Sequence, residues 1–283
     1  MHITTGNITL DLESPKVMAI INVTPDSFYA ASRAMETEDI ERRSDKVVEQ
    51  GASIIDIGGY SSRPGADDVP EEEEFSRVDK AMKIIKKRHP YVMVSIDTFR
   101  SGVAEKCAKE YGPFVINDIS AGEADPRIIN VAREYDLPFI AMHMRGVPST
   151  MDQFTHYTNI TREVVEYFAD KLNHFEQAGL RQVIVDPGFG FAKTIEQNYE
   201  LLGELHKLVE LDRPVLAGGS RKRLIYIPLE VTPENSLNGM AAFHWECLRQ
   251  GADILRVHDV KEAIEITKLF GIFRKSLAPA SVV

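Results

Sequence analysis

Short apolar runs recur eight times along the 283 residues, each closing on or next to a polar or glycine residue and each followed by a polar, helix-compatible stretch. They cover 17–22, 53–57, 92–97, 114–117, 139–143, 183–186, 214–218 and 254–257. Most are apolar at consecutive positions (VMAII, FVI, FIAM, VIV) rather than alternating, which is the pattern of parallel strands buried on both faces. The stretches between them predict helices over 38–50, 71–88, 102–111, 126–135, 159–178, 195–209, 236–250 and 261–270. Pro70 ahead of four glutamates marks one start, because negative charge there complements the helix dipole; the run reads as a solvated first turn. Asp125-Pro126 reads as an N-cap with proline at N1. Eight strand–helix units in roughly 250 residues suit an α/β fold of the (β/α)8 TIM-barrel type. A doubly wound open sheet is the competing architecture, but no GxGxxG follows the first strand. The opening HITTGNITLDL alternates and turns at Gly6-Asn7, which predicts an N-terminal β-hairpin plugging the barrel. No repeat or linker interrupts the chain, so it reads as one domain over 1–283, with the hairpin at 1–16 and the barrel at 17–275.

Composition excludes several functions. No apolar run approaches the ~20 residues of a membrane helix, and the first residues lack the basic start and apolar core of a secretory signal. The two cysteines, Cys107 and Cys247, lie far apart, which argues against a disulfide framework and for a reducing cytoplasm. A net charge of -10 speaks against nucleic acid or a membrane surface as partner, so any phosphate must be met by a local cluster of cations. GxxxxGK[ST], HExxH, GxSxG and CxxC are all absent. His156, His174, His206 and His244 read as surface or packing histidines.

The strand ends carry the chemistry, since barrel active sites are built at the C-terminal ends of the strands. They read Asn22, Asp56, Asp97, Asn117-Asp118, His143, Asp186, Gly218 to Lys222, and Arg256 with His258. Any single one is explicable as a helix cap; eight in register predict a polar pocket. Asp97, Asn117 and Asp186 can hold a flat heterocycle with alternating donors and acceptors, such as a pterin or guanine. A cation such as Lys222 would offset the desolvation of a buried carboxylate. Arg63, Arg221, Lys222, Arg256 and His258 form a cationic group that points to an anionic substrate, phosphate or pyrophosphate. The amide oxygen of Asn22 can hold a hard cation, and pyrophosphate sites often need Mg2+.

The segments AIINVTPDSF, DIGGYSSRPGA, SIDTFR, INDIS, MHMRGVPSTM, DPGFGFAKT, GGSRK and RVHDV, in this order from about Met18 to beyond Asp259, resemble the ordered motifs of dihydropteroate synthases. The resemblance implies a Mg2+-dependent condensation of 6-hydroxymethyl-7,8-dihydropterin pyrophosphate with p-aminobenzoate, giving 7,8-dihydropteroate and pyrophosphate in folate synthesis. It implies a pterin held by Asp97, Asn117, Asp186 and Lys222 in a slot shaped by Met142 and Gly190. Pyrophosphate would fall to Ser62, Arg63, Arg256 and His258, with Asn22 acting through Mg2+. The p-aminobenzoate side would be Phe28, Ser62, Arg63, Pro64, Phe191 and Lys222. Asp97, Lys222 and Arg256 would serve catalysis, the C–O bond breaking ahead of amine attack. The resemblance also implies a homodimer and a site for which sulfonamides compete.

Departures from the family pattern are confined to loops. Ala30 stands where a loop aspartate is common, Tyr60 for a frequent Glu, Ser62 for Thr, and Arg223-Leu224 for Ser-Phe. Arg223 would either swing into water or face the p-aminobenzoate carboxylate, where its bulk would discriminate against sulfonamides. Two other readings remain. A methyltetrahydrofolate-type methyltransferase would leave GGSRK and RVHD without a purpose; a silent pterin-binding paralogue would be favoured by Ala30 and Arg223.

Overall fold

A computed structural model describes residues 1–24, 33–60 and 69–277. Among these, eight parallel strands alternate with helices: β3 (Lys16–Asn22), β4 (Ile54–Gly58), β5 (Met93–Asp97), β6 (Val115–Asp118), β7 (Phe139–Met142), β8 (Val183–Asp186), β9 (Leu216–Ala217) and β10 (Ile254–Val257). They form one sheet in the order β8-β7-β6-β5-β4-β3-β10-β9. A single parallel bridge between Val185 and Val215 brings its two edges together, so the sheet closes as a barrel. Helices α1 (Arg33–Glu49), α2 (Glu71–Arg88), α3 (Ser101–Tyr111), α4 (Arg127–Glu134), α5 (Ile160–Ala178), α6 (Ile195–Gly203), α7 (His206–Val209), α8 (Arg223–Tyr226), α9 (Leu237–Arg249) and α10 (Val260–Leu277) follow the strands. The hairpin is β1 (His2–Thr5) paired antiparallel with β2 (Ile8–Asp11), Thr5 facing Ile8 across the turn.

Strand parity sorts the side chains. One face of each strand packs outward against the helices, in a core that includes Val17, Ala19, Ile55, Ile57, Ile96 and Ile116. The other face fills the barrel. Its lowest layer takes one apolar residue from each of the eight strands: Met18, Ile54, Met93, Val115, Ile140, Ile184, Leu216 and Ile254. Ile3 and Leu12 pack onto that layer, so the hairpin does plug the N-terminal mouth. Two residues further along each strand the inward positions become Ile20, Asp56, Ser95, Asn117, Met142, Asp186, Gly218 and Arg256. The barrel is therefore apolar below and polar above, with the ionisable groups towards its C-terminal end.

Several local readings change. The strand at 214–218 shortens to Leu216–Ala217, since Pro214 has no N–H for a ladder; its carbonyl instead accepts from the Val185 N–H at 2.9 Å. The helix at 195–209 breaks after Gly203 into α6 and α7. The short α8 was not foreseen. Glu74 is not part of a solvated turn: it is fully buried, accepting from Thr98 Oγ1 at 2.6 Å and Arg100 Nη1 at 2.8 Å. Asp125 serves the neighbouring helix as well as its own, accepting from Ser101 N–H at 3.0 Å and Arg127 N–H at 3.2 Å.

Candidate active site

The charged upper layer is organised around Asp56. Its Oδ2 accepts from Arg256 Nε at 2.7 Å and from Asn117 Nδ2 at 3.2 Å. Arg256 Nη2 reaches on to Asp97 Oδ2 at 2.6 Å. One guanidinium thus bridges two carboxylates 41 positions apart in sequence and carried on adjacent strands. The Asn117 contact has a consequence for recognition: with Nδ2 committed to Asp56, the amide oxygen is the free end, an acceptor. Asp56 Oδ1 and Ser95 Oγ, on register-paired residues, are buried without a hydrogen-bond partner.

Asp186 ends β8 and turns its Oδ1 to the Gly188 N–H at 2.8 Å. Burial raises its carboxyl pKa, opposed by Lys222, that N–H, Arg256 and Lys193. Asp97 is pushed up to about 7 by burial, against the pull of Arg256; its side chain still keeps 19% of its surface open. Lys222 donates to the Phe189 carbonyl at 2.6 Å and lies 4.6 Å from the Phe191 ring centre. Burial brings its ammonium down to about 8 while Asp186 holds it up. Beside these groups Ile119, Met142, Met144, Met151 and Ala192 form a separate apolar cluster, with Phe99 and Phe191 packed on it. The mouth thus offers acceptors and cations next to an apolar wall, a setting for a flat, polar-edged ring.

Two glycines are required by close approach. Gly188 takes φ +67°, and a Cβ there would sit 2.1 Å from the His143 carbonyl oxygen. At Gly219 a Cβ would lie 2.2 Å from the Phe243 ring, so only glycine lets the β9 loop turn inward. Beyond it, the buried Ser220 Oγ meets both the N–H and the Nδ1 of the exposed His258 at 3.1 Å.

A profile of pterin binding enzymes matches residues 18–258. The dihydropteroate synthase of Escherichia coli is 40% identical over 263 residues, 92% of each chain. The chain belongs to the dihydropteroate synthase family. Its fold matches that of the Yersinia pestis dihydropteroate synthase in a sulfonamide drug complex, with a TM-score of 0.90, 35% identity and coverage of 98% and 100%. The Xanthomonas albilineans dihydropteroate synthase in complex with 7,8-dihydropteroate gives 0.85, 32% identity and coverage of 96% and 99%.

Against the site foreseen from the family motifs, the geometry makes distinctions. Asp97, Asn117, Met142, Asp186, Gly190, Phe191, Lys222 and Arg256 all reach the mouth, with Asn22 and His258 at its rim. Phe28, Ala30, Ser62, Arg63 and Pro64 lie outside the described residues. Arg221 is not a free anion clamp: its Nε and Nη2 donate to Asp259 at 3.1 and 2.7 Å. Arg223 points outward, 67% exposed and 3.6 Å from Asp152, itself 66% exposed. Two strand-end residues serve structure instead. Asp118 faces away from the barrel, accepting from Ser120 and Gly122 N–H groups at 2.7 Å. His143 is buried among Tyr157, Tyr167 and Phe168, and its pKa falls to about 2 through burial, reinforced by Lys193 and Arg145. Of the histidines read as surface or packing residues, His206 pairs with Gln250, its Nδ1 2.8 Å from Oε1. Asp56, read from the sequence only as one of the strand ends of the polar pocket and given no role, is its organising carboxylate; the signal for that was parity, two positions after the inward Ile54.

Proposed function

We propose that this chain joins 6-hydroxymethyl-7,8-dihydropterin pyrophosphate to p-aminobenzoate, releasing pyrophosphate, with the ring held edge-on by Asp97, Asn117 and Asp186. The observation that carries this is the convergence of three acceptors (two carboxylates and the freed oxygen of Asn117) beside the wall of Met142 and Phe191. A pterin edge supplies the matching ring N–H and exocyclic amino donors, and paired donors to a buried carboxylate offset its desolvation. Lys222, between Phe189 O and the Phe191 ring, closes the far side.

The charges say where pyrophosphate must find its partners. Asp56, Asp97 and Asp186 face Arg256, Lys222 and Lys193, three formal charges against three, so the inner site has no positive surplus. Countercharge for a pyrophosphate has to come from outside this inner set, and a divalent cation would supply it. Among the described residues no group of His, Cys, Asp and Glu is arranged to cage a metal. The amide oxygen of Asn22 would suit an ion that keeps water and phosphate oxygens as its other ligands, which is the habit of Mg2+. Bound there, Mg2+ would neutralise charge on the departing pyrophosphate. The reaction breaks the C–O bond to pyrophosphate, forms a C–N bond to the aniline nitrogen and loses one aniline proton. A neutral aniline needs no strong base, in keeping with a mouth whose one histidine, His258, sits at the rim.

The same reading extends to partners and place. Leu269 and Ile272 of α10 are 60% and 67% exposed, an apolar face that a second copy would cover in a homodimer. No helix among the described residues is long and apolar enough to cross a membrane. Buried, unpaired Cys107 and Cys247 suit a reducing cytoplasm. A coupled assay for pyrophosphate, with and without p-aminobenzoate and Mg2+, tests the function: dihydropteroate should form only with both present. Methyl transfer from a folate to a corrinoid protein, with no pteroate formed, would refute it.

A further inference from the structure

Lys193 ends the DPGFGFAK loop, yet its side chain turns back beneath that loop and is buried, 9% exposed. Its ammonium lies 3.0 Å from Gly188 O, 3.0 Å from Phe191 O and 3.1 Å from His143 Nδ1. Three protons thus meet three acceptors, with His143 O a looser fourth at 3.4 Å. Lys222 takes the intervening Phe189 carbonyl at 2.6 Å. The carbonyls of one short loop are therefore divided between two ammonium groups, 188 and 191 to Lys193 and 189 to Lys222, which fixes its height over the mouth.

Burying an ammonium is costly unless a countercharge is near. The charged and titratable groups around Lys193 are His143 and Arg145 from the end of β7, Asp186 from β8 and Lys222 from the β9 loop. His143 stays neutral with burial as the main cause, so its Nδ1 lone pair is free to accept. Arg145 and Lys222 repel Lys193, and Asp186 alone in this set attracts it. The attraction is reciprocal. Burial raises the Asp186 carboxyl pKa and Lys222, Arg256 and Lys193 oppose that rise, while its other buried neighbour, the Cys247 thiol, carries no charge. A loop needing only volume beneath it would be served by an apolar side chain; this one has a cation whose charge balances the residue at the loop's start.

We infer that Lys193 is a positioning residue for the pterin: it ties down the 187–192 loop from beneath and so sets the height at which that loop, and Asp186 before it, meet the ring. This rests on the reading of the mouth as a pterin site. The test is binding of 6-hydroxymethylpterin to the full chain, followed by calorimetry from acidic to neutral pH, in wild type, Lys193→Met and Lys193→Arg. Binding should weaken at low pH as Asp97, pushed up to about 7, and Asp186 take protons; Lys193 bears on Asp186, so the Asp186 part of this limb is the part that responds to it. Removing the cation raises the acid pKa of Asp186, so in K193M this acid limb should move up by about one pH unit. K193R keeps the charge and should return the limb towards its wild-type position even if affinity is not restored. A purely structural lysine would lower melting temperature and affinity in K193M without moving the limb, and an unmoved limb overturns the inference. Should K193M not fold, Lys193→Gln, which keeps an amide donor and loses the charge, must show the same shift. If wild type binds no pterin at any pH, the reading of the site fails first; a wild-type acid limb shared by K193M sinks the role of Lys193 alone.

Discussion

Replacing Asp56 with asparagine tests the organisation of the site most directly. Asp56 is fully buried, and one of its oxygens takes both the Arg256 Nε and the Asn117 Nδ2 hydrogens. An asparagine can keep its oxygen in that place and hold both contacts. It then puts an NH2 where Asp56 Oδ1 now sits, a buried position without a partner. The loss is the charge assistance on two hydrogen bonds, plus any penalty for the new donor if Ser95 Oγ fails to accept it. A hydrogen bond to a charged group contributes about 1.5–3 kcal/mol and a neutral one about 1. Arg256 keeps Asp97 at 2.6 Å, so no guanidinium is stranded, and the net cost should be about 2 kcal/mol rather than the ~3–5 of a broken buried pair. Binding should weaken as well. With Asp56 neutral, Arg256 leans harder on Asp97, and a pterin must compete with it for that carboxylate. About 1.4 kcal/mol of such competition is a tenfold rise in the pterin dissociation constant. Urea unfolding gives the first quantity and calorimetric titration the second. If stability falls while pterin affinity is unchanged, Asp56 supports the barrel but does not organise recognition. If neither moves, the bridge from Asp56 through Arg256 to Asp97 is not an energetic unit.

Two further outcomes follow from the same geometry. Asp186→Asn places an amide donor against the ring's own donors and should cost roughly 2–4 kcal/mol of pterin affinity; unchanged calorimetry would remove Asp186 from the pocket. Arg223→Ser should alter the p-aminobenzoate Michaelis constant and the sulfonamide inhibition constant by less than about twofold each, because an exposed pair with Asp152 contributes little. A selective fall of tenfold or more in the sulfonamide constant would show that the side chain reaches inward.

How much was legible in the sequence depended on whether the governing interaction was local. Consecutive apolar residues closed by a polar one are a local signal, and all eight barrel strands lie within a few residues of their expected places. The seventh strand and the sixth helix were over-extended because their limits are set elsewhere. Pro214 can accept from the neighbouring strand but has no N–H to donate to a ladder, and the 195–209 helix breaks just past Gly203, a poor helix former. Pairing across the barrel was not legible at all. Arg256 reads as a free cation until Asp56, 200 residues away, is seen beside it. Arg221 likewise reads as a phosphate ligand until Asp259 takes it. Glu74 shows only its local setting among glutamates, whereas its burial is decided by Thr98 and Arg100.

One non-local property could nonetheless have been extracted from the sequence alone, and it separates catalysis from support. Strand side chains alternate between barrel and helix layer, so a polar residue's role follows from its distance to an inward apolar neighbour. Val115 belongs to the inner apolar layer, which sends Asn117 inward and Asp118 out. The first faces the mouth and the second ties down its own turn. Ile140 likewise sends Met142 inward and leaves His143 outside, against Tyr167. Ile54 sends Asp56 inward, which makes it a member of the site rather than a helix cap. A one-residue slip of any strand would exchange these roles, placing Asp118 in the barrel mouth and Asn117 in the helix layer. The apolar layer beneath the mouth, capped by Ile3 and Leu12, opposes that slip, because it would drive one buried apolar side chain per strand out of the barrel. The hairpin and the lower layer thus hold the register in which the acceptors above face a ligand.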